Sequence, residues 1–241
     1  MRILISTIIR NREAHVSRWA NQLCALTKLN PDIEFDLSVF ENDSTDNTKQ
    51  LLAEHEELLL NHFSSVLVET QDLNWPYFNS IKEEERVSFL ARARNFTIDV
   101  IEELEGLEQY SKIVCIEPDI DFDPVELSQL LYTTDDIASG YSILPGSSNW
   151  IYDCWATRVH QMDEEFAGPS LPDMPDRLDV ASTFNCFCVY NAIPFIKGLR
   201  FSGTNPLTNR WDCDTTNICL LFRRSGYNKI GLYNIPVVHC S

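Results

Sequence analysis

SKIVCIEPDIDFD, residues 111–123, is an apolar run that ends in acids. Lys112–Glu117 reads as a buried strand, and beyond it Asp119, Asp121 and Asp123 stand two residues apart. A strand that runs out into carboxylates is either a polar exit to solvent or a cradle for a divalent cation. On extended backbone, residues i and i+2 face the same way, roughly 7 Å apart, so Asp119 and Asp121 are expected to face one site across Ile120. Mg²⁺ or Mn²⁺ takes oxygen ligands, often one or two carboxylates with substrate phosphates beside them. A D-x-D at a strand end suits that task, because the cation would bridge a diphosphate and neutralise it as a leaving group. The plainer reading is a solvated acidic loop with Asp123 capping the helix that Pro124 opens.

Outward from this stretch the first half alternates strand and helix. Arg2–Ile9 is Ile-rich and alternating, a first strand. Residues 13–29 carry Val16, Trp19, Leu23 and Leu26 at helical spacing. Phe35–Phe40 is a second strand, and in the ENDSTDNTK that follows Ser44 or Asp46 is placed to cap a helix through Leu51, Leu52 and Leu58. Ser65–Glu69 is a third strand, 70–85 a polar loop with Trp75, Pro76 and Tyr77, and 86–104 a helix with Arg86, Arg92 and Arg94. A short helix with Leu127, Leu130 and Leu131 and a strand at Ile137–Leu144 continue the pattern. The expected class is α/β, a mostly parallel central sheet flanked by helices. Ligands of such sheets sit outside the carboxyl ends of the strands, where both the acidic stretch and FEND (40–43) lie. The second half is less regular: a loop over 160–180, a strand at Thr183–Val189, a helix starting at Asp214 or Thr215 and a last strand in NIPVVHCS. No repeat or linker divides the chain, so one domain over 1–241 is expected, with a nucleotide-binding half (1–123) and an acceptor half (124–241).

Composition narrows the partners. The 241 residues hold 19 Lys and Arg against 36 Asp and Glu, a net charge of −17, which repels nucleic acid and anionic membrane surfaces. No stretch approaches the ~18 apolar residues of a membrane span, and MRILISTIIRN lacks a cleavage site, so the expected address is the cytosol. Eight cysteines without a C-x-x-C read as reduced, apolar fillers. Cys186 and Cys188 would share a strand face as a soft-metal pair, but with no second pair or nearby His, core filling is the better reading.

Three further features bear on the D-x-D. Asp43, in the acidic end of the second strand, can accept hydrogen bonds from a nucleobase or ribose, although the same residues suit a capping turn. Arg92 and Arg94 put two guanidinium groups on one helix, where one could face a diphosphate; surface pairing with nearby acids is the plainer account. His239 ends the last strand, and its imidazole can complete the coordination of a Mn²⁺ held by Asp119 and Asp121, although a lone His is more often structural.

Acidic strand end, Arg-Asn helix, D-x-D, late acidic motif and terminal His in this order resemble a glycosyltransferase with the GT-A fold. A closer likeness, to the fungal α-1,3-mannosyltransferase and capsule-associated family, runs through FENDSTDNT (40–48), FLARARN (89–95), KIVCIEPDIDF (112–122), IYDCWATR (151–158), FNCFCVYNA (184–192), LRF (199–201) and WDCD (211–214). The resemblance implies transfer of a hexose from a nucleotide diphosphate sugar to a glycan hydroxyl with Mn²⁺ or Mg²⁺. In its narrowest form this is mannose from GDP-mannose, with retention and an α linkage. It places Asp119, Asp121 and His239 at the metal. Arg10, Asp43, Arg92, Arg94, Asp119, Tyr152 and Arg158 fall at the donor, Trp150 and Trp155 at the acceptor, and Asp212, Asp214 and Asp153 in the catalytic set. No membrane anchor of the kind the family carries is expected from these residues, and Asn185-Cys186 stands where the family has Asn-Gly.

An inverting enzyme needs a carboxylate base at the acceptor hydroxyl, and Asp212 or Asp214 is the candidate, unless Asp214 is an N-cap. A retaining enzyme can leave that proton to the departing phosphate oxygen, with the protein positioning groups and stabilising charge. Two other classes compete. A sugar-nucleotide pyrophosphorylase would carry a Gly-rich basic loop where this chain has Ile9-Arg10-Asn11-Arg12-Glu13. A noncatalytic, transferase-like glycan-binding module would be expected to lack the D-x-D or the terminal His.

Overall fold

The computed structural model describes residues 1–240 except 79 and 148. The strands are β1 (Arg2–Ile9), β2 (Glu34–Asn42), β3 (Ser65–Gln71), β4 (Lys112–Ile116), β5 (Ile120–Phe122), β6 (Ile137–Ile143), β7 (Arg177–Asp179), β8 (Phe187–Asn191) and β9 (Ile230–His239). The helices are α1 (Glu13–Leu29), α2 (Thr48–Leu60), α3 (Glu84–Leu104), α4 (Pro124–Leu131), α5 (Ile193–Ile196) and α6 (Asp214–Arg224). All nine strands form one sheet in the order β3-β2-β1-β4-β8-β6-β9-β5, with β7 also paired to β9. The pairings make β1, β2, β3, β4, β6 and β9 run one way and β5, β7 and β8 the other.

Strand alternation feeds two cores. Ile3 and Ile5 of β1 face the side covered by α1, α2 and α4, with Trp19, Leu52 and Leu127. Leu4 faces the other side, with Ile98 of α3, Ile218 and Phe222 of α6, and Tyr190 of β8. Covering both faces removes the polar alternation of a half-exposed sheet, which is why these strands read as near-continuous apolar runs. Each such side chain stabilises the fold by about 1.5–3 kcal/mol on full burial, and Ile5→Ala would cost about 2–5 kcal/mol. No helix among the described residues is long and apolar enough to cross a membrane.

Several expectations are corrected. The loop over 160–180 contains a 3₁₀ turn at Leu171–Asp173 and the strand β7. The strand expected from Thr183 begins at Phe187, because Asn185 (φ 52°) and Cys186 (φ 62°) are left-handed, a conformation no strand accommodates. The last strand starts at Ile230 and passes Gly140 of β6 so closely that a Cβ there would lie 2.4 Å from the Ile235 carbonyl oxygen. Asp46 does accept a hydrogen bond from the Thr48 amide at the start of α2 (3.0 Å), whereas Ser44 Oγ accepts from the Asn11 amide instead (2.8 Å).

The chain lays down β1, β2 and β3 outward in one direction, then returns to place β4 on the free side of β1. That reversal is a topological switch point, and the crevice beyond the carboxyl ends of β1 and β4 is where such sheets bind ligands.

Candidate active site

Glu117 is the first residue past β4, and the chain then turns through Pro118 and Asp119 before resuming as β5. The turn breaks the alternation on which the D-x-D reading relied. Asp119 is turned into the protein, 4% exposed, while Asp121 lies on the surface and accepts a hydrogen bond from Gln22 Nε2 (2.7 Å). Asp121 is therefore not brought to Asp119 and His239. Asp123 caps α4, accepting from the Val125 amide.

In place of Asp121 the fold supplies Glu117. Strand β9 pairs with β5 so that His239 lies opposite Ile120, which sets its Nε2 3.6 Å from Asp119 Oδ2. One ligand atom each from Glu117, Cys186 and His239 lie within 4.8 Å of one another. From across the switch point Arg12, at the start of α1, donates from Nε to Asp119 Oδ2 (2.9 Å). Asp119 Oδ1 and His239 Nδ1 are buried without a hydrogen-bond partner. Nine other buried side-chain atoms among the described residues are also without a partner, so these two bear on a metal through the cluster of ligand atoms they adjoin. Oxygen and imidazole donors at this spot fit Mn²⁺ or Mg²⁺.

The electrostatics agree. Burial and the neighbouring Glu117 charge raise the Asp119 carboxyl against the pull of Arg12 and His239. Burial also pushes on Glu117, but the Arg94 guanidinium beside it (2.9 Å) holds it below the usual range. Asp153 accepts from the Asn185 amide (2.9 Å), and burial with the charge of Glu117 pushes it up to about 7. Three crowded carboxyls repel one another, and a divalent cation relieves that repulsion.

The late acidic motif behaves otherwise. Arg158 clamps Asp212 with two bonds, 2.8 and 2.6 Å, and Asn205 Nδ2 adds a third (2.9 Å). Asp214, the first residue of α6, binds Arg94 Nε (3.0 Å), and the same guanidinium lies 4.3 Å from the Phe184 ring. Arg94 is thus a buried strut between α6 and the end of β4. Among the three catalytic candidates, Asp153 is the one outside an ion pair with Arg.

Arg10, Asp43 and Arg92 converge elsewhere, around Trp75. Asp43 (φ 55°) accepts from the Asn74 and Trp75 amides, and the Arg10 guanidinium donates to the Trp75 and Pro76 carbonyls. The Arg92 guanidinium sits 5.1 Å over the Trp75 ring. Of the residues expected at donor and acceptor in the second half, the Tyr152 ring stacks on His239 (4.2 Å between centroids), and Trp155 meets Trp211 edge to face at 6.5 Å. Trp150 stands 73% exposed. Glu117, Arg12, Trp75, Trp211 and Cys186 were not among the expected site residues. For Glu117 a signal was present: an acid directly at the strand end, two residues before Asp119.

The family model for cryptococcal mannosyltransferase 1 matches residues 2–223. The chain belongs to that family. No curated protein matches it in sequence. Its fold is that of GT-A glycosyltransferases. S. aureus TarS (residues 1–349) superposes with a TM-score of 0.55 at 12% identity, covering 100% of this chain and 60% of that one. The mannosyltransferase PcManGT from Pyrobaculum calidifontis, in complex with GDP-Man and Mn²⁺, gives 0.58 at 11% identity over 98% and 56%. TarS with UDP-GlcNAc gives 0.53 at 13% identity over 100% and 59%. The chain thus spans about three-fifths of the length of these solved structures.

Proposed function

We propose that this member of the cryptococcal mannosyltransferase family is a metal-dependent hexosyltransferase. It moves a hexose from a nucleotide diphosphate sugar to a glycan hydroxyl; in the specific form we favour, the donor is GDP-mannose and the α linkage is retained. The observation that carries this is the cluster at the switch-point crevice, where ligand atoms of Glu117, Cys186 and His239 lie within 4.8 Å of one another and His239 Nε2 stands 3.6 Å from Asp119 Oδ2. A solved GT-A neighbour with GDP-Man and Mn²⁺ supports the same donor and ion.

Glu117, Asp119 and His239 would hold Mn²⁺ or Mg²⁺. When bound, the cation supplies neutralisation of the diphosphate leaving group. Arg12, its side chain 41% exposed beside Asp119, offers a charge-assisted bond to a phosphate oxygen. Asp43, Arg10, Arg92 and Trp75 would hold the nucleoside. Arg94 and Arg158, named above as donor-binding, and Asp214 and Asp212, named as catalytic, are engaged with one another in ion pairs and would act as scaffold. Asp153, half-buried and oriented by the Asn185 amide, is left to position the acceptor hydroxyl or take its proton. Trp155 and Trp211, with Trp150, offer faces for sugar rings.

A thermal-shift panel tests this reading: GDP, UDP and their sugar conjugates, each with Mn²⁺ or with chelator. A ligand at ~100 times its Kd adds about 2.7 kcal/mol. The expected result is a shift for GDP-mannose that vanishes with chelator and in Asp119→Ala. No shift with any nucleotide would overturn it. The anomeric configuration of the product, by NMR, tests retention.

One observation favours a second reading, a noncatalytic glycan-binding module: both acids of the late motif are locked by arginines. Such a module would bind glycan yet neither transfer nor hydrolyse GDP-mannose.

A further inference from the structure

Cys186 sits in backbone that suits it poorly. It follows Asn185, and both are left-handed, at φ 62° and 52°. Glycine adopts this conformation freely, whereas a side chain there costs about 1–3 kcal/mol. The strain is held in place by Asn185, which is fully buried. Its side chain accepts from the Ser142 amide and hydroxyl and donates to the Thr157 and Thr183 hydroxyls, all at 3.0 Å. The Cys186 carbonyl accepts from the Glu117 amide (2.8 Å). The thiol is thereby directed at the cluster of Glu117 and His239, beside the unpartnered Asp119 Oδ1 of a residue 4% exposed.

We propose that Cys186 is a ligand of this centre, which makes it a mixed carboxylate, imidazole and thiolate site that takes a thiophilic divalent cation of the zinc and cobalt class in preference to Mg²⁺. The inference rests on the functional reading above for the place of the metal. Thiolate, imidazole and carboxylate are the ligands zinc takes, and a sulfur donor turns selectivity away from hard cations. On binding, the thiol proton leaves to solvent and a metal–sulfur bond forms; no redox step is involved. Outer partners that orient metal ligands are already present, Arg94 on Glu117 and Arg12 on Asp119. With this many donors from the protein, the thiophilic cation binds without nucleotide, whereas Mg²⁺ draws ligands from substrate phosphates.

The test is a Co²⁺ titration of the full chain without nucleotide, read by thiolate-to-cobalt charge-transfer absorption. The wild type should show the band. Cys186→Ser should lose it, while Cys240→Ser and Cys154→Ser keep it. Cys186→Gly, which removes the backbone strain, should fold as the wild type does by circular dichroism and also lack the band, so misfolding cannot imitate the result. In competition, either Cys186 variant should weaken Zn²⁺ by about tenfold or more and leave Mg²⁺ nearly unchanged. Co²⁺ binding with no band in the wild type, or a band that survives in Cys186→Gly, overturns the thiolate ligand and leaves the transferase reading standing. No Co²⁺ uptake without nucleotide likewise overturns the thiolate ligand, and the transferase reading then stands or falls on the thermal shift with nucleotide and Mn²⁺.

Discussion

Asp119 and Asp214 are almost equally buried, at 4% and 3% exposure, yet their surroundings differ. Asp214 and its neighbour Asp212 are closed by arginines, with Asn205 added to Asp212. Asp119 shares Arg12 and His239 but keeps one oxygen without a partner. Asp36 and Glu41 also keep a buried oxygen without a hydrogen-bond partner, so what sets Asp119 apart is its place beside the ligand atoms of Glu117, Cys186 and His239. The two regions touch through Arg94, which binds Asp214 on one side and Glu117 on the other.

The sharpest way to break this contrast is to remove the strut. Arg94→Met leaves Asp214 and Glu117 buried without their partner and should destabilise the chain by about 3–5 kcal/mol in urea unfolding. A loss under about 1 kcal/mol would make the scaffold assignment wrong. Asp119→Ala should do the reverse. Its melting temperature should stay near that of the wild type or rise, while transfer from GDP-mannose falls by about 10²–10³-fold. Retained turnover would mean that the unpartnered oxygen does not mark the centre.

Asp212→Asn distinguishes scaffold from chemistry more finely. Against the effect of burial, the bonds from Arg158 and Asn205 hold the Asp212 carboxyl below its ordinary value of 3.8. A depressed folded value stabilises the protein above 3.8 and loses that stabilisation as pH falls through the lower folded value. The variant should therefore melt earlier than the wild type by about 1–3 kcal/mol at neutral pH, and the gap should close only in acid below 3.8. A gap that persists unchanged in acid would show that the ion pair is not its source. The smallest effect is expected at Trp211. Its replacement by Ala should raise the acceptor KM about three- to tenfold with donor affinity unchanged; an unchanged KM would remove it from the acceptor surface.

The first half was legible because local signals agreed there. Ile-rich alternation, helical spacing and Pro124 placed β1, α1, β4 and α4 within a few residues. The site was legible as a place rather than as a set. The structure brings Asp119 and His239 together, as the sequence led one to expect, but leaves Asp121 on the surface with Glu117 in the cluster, because alternation holds only along a strand and the Pro118-Asp119 turn interrupts it. Cys186 looked like a strand residue beside Cys188. The one signal of left-handed backbone was the family's Asn-Gly at Asn185-Cys186; the conformation itself is held by Ser142, Thr157 and Thr183 arriving from elsewhere. Strand β7, three residues long, has no pattern of its own and exists by pairing with β9.

That dependence on β9 reaches further. Strands β5 and β7 have no other sheet partner among the described residues, and β9 enters between them and β6. During synthesis the turn that carries Asp119 emerges more than a hundred residues before the strand that fastens it and delivers His239. Pairings this distant in sequence close slowly. A ribosome that stalls before residue 230 would release a chain with two unpaired strands and a cluster that lacks His239, open to proteolysis. The cluster is thus completed only once β9 has been made.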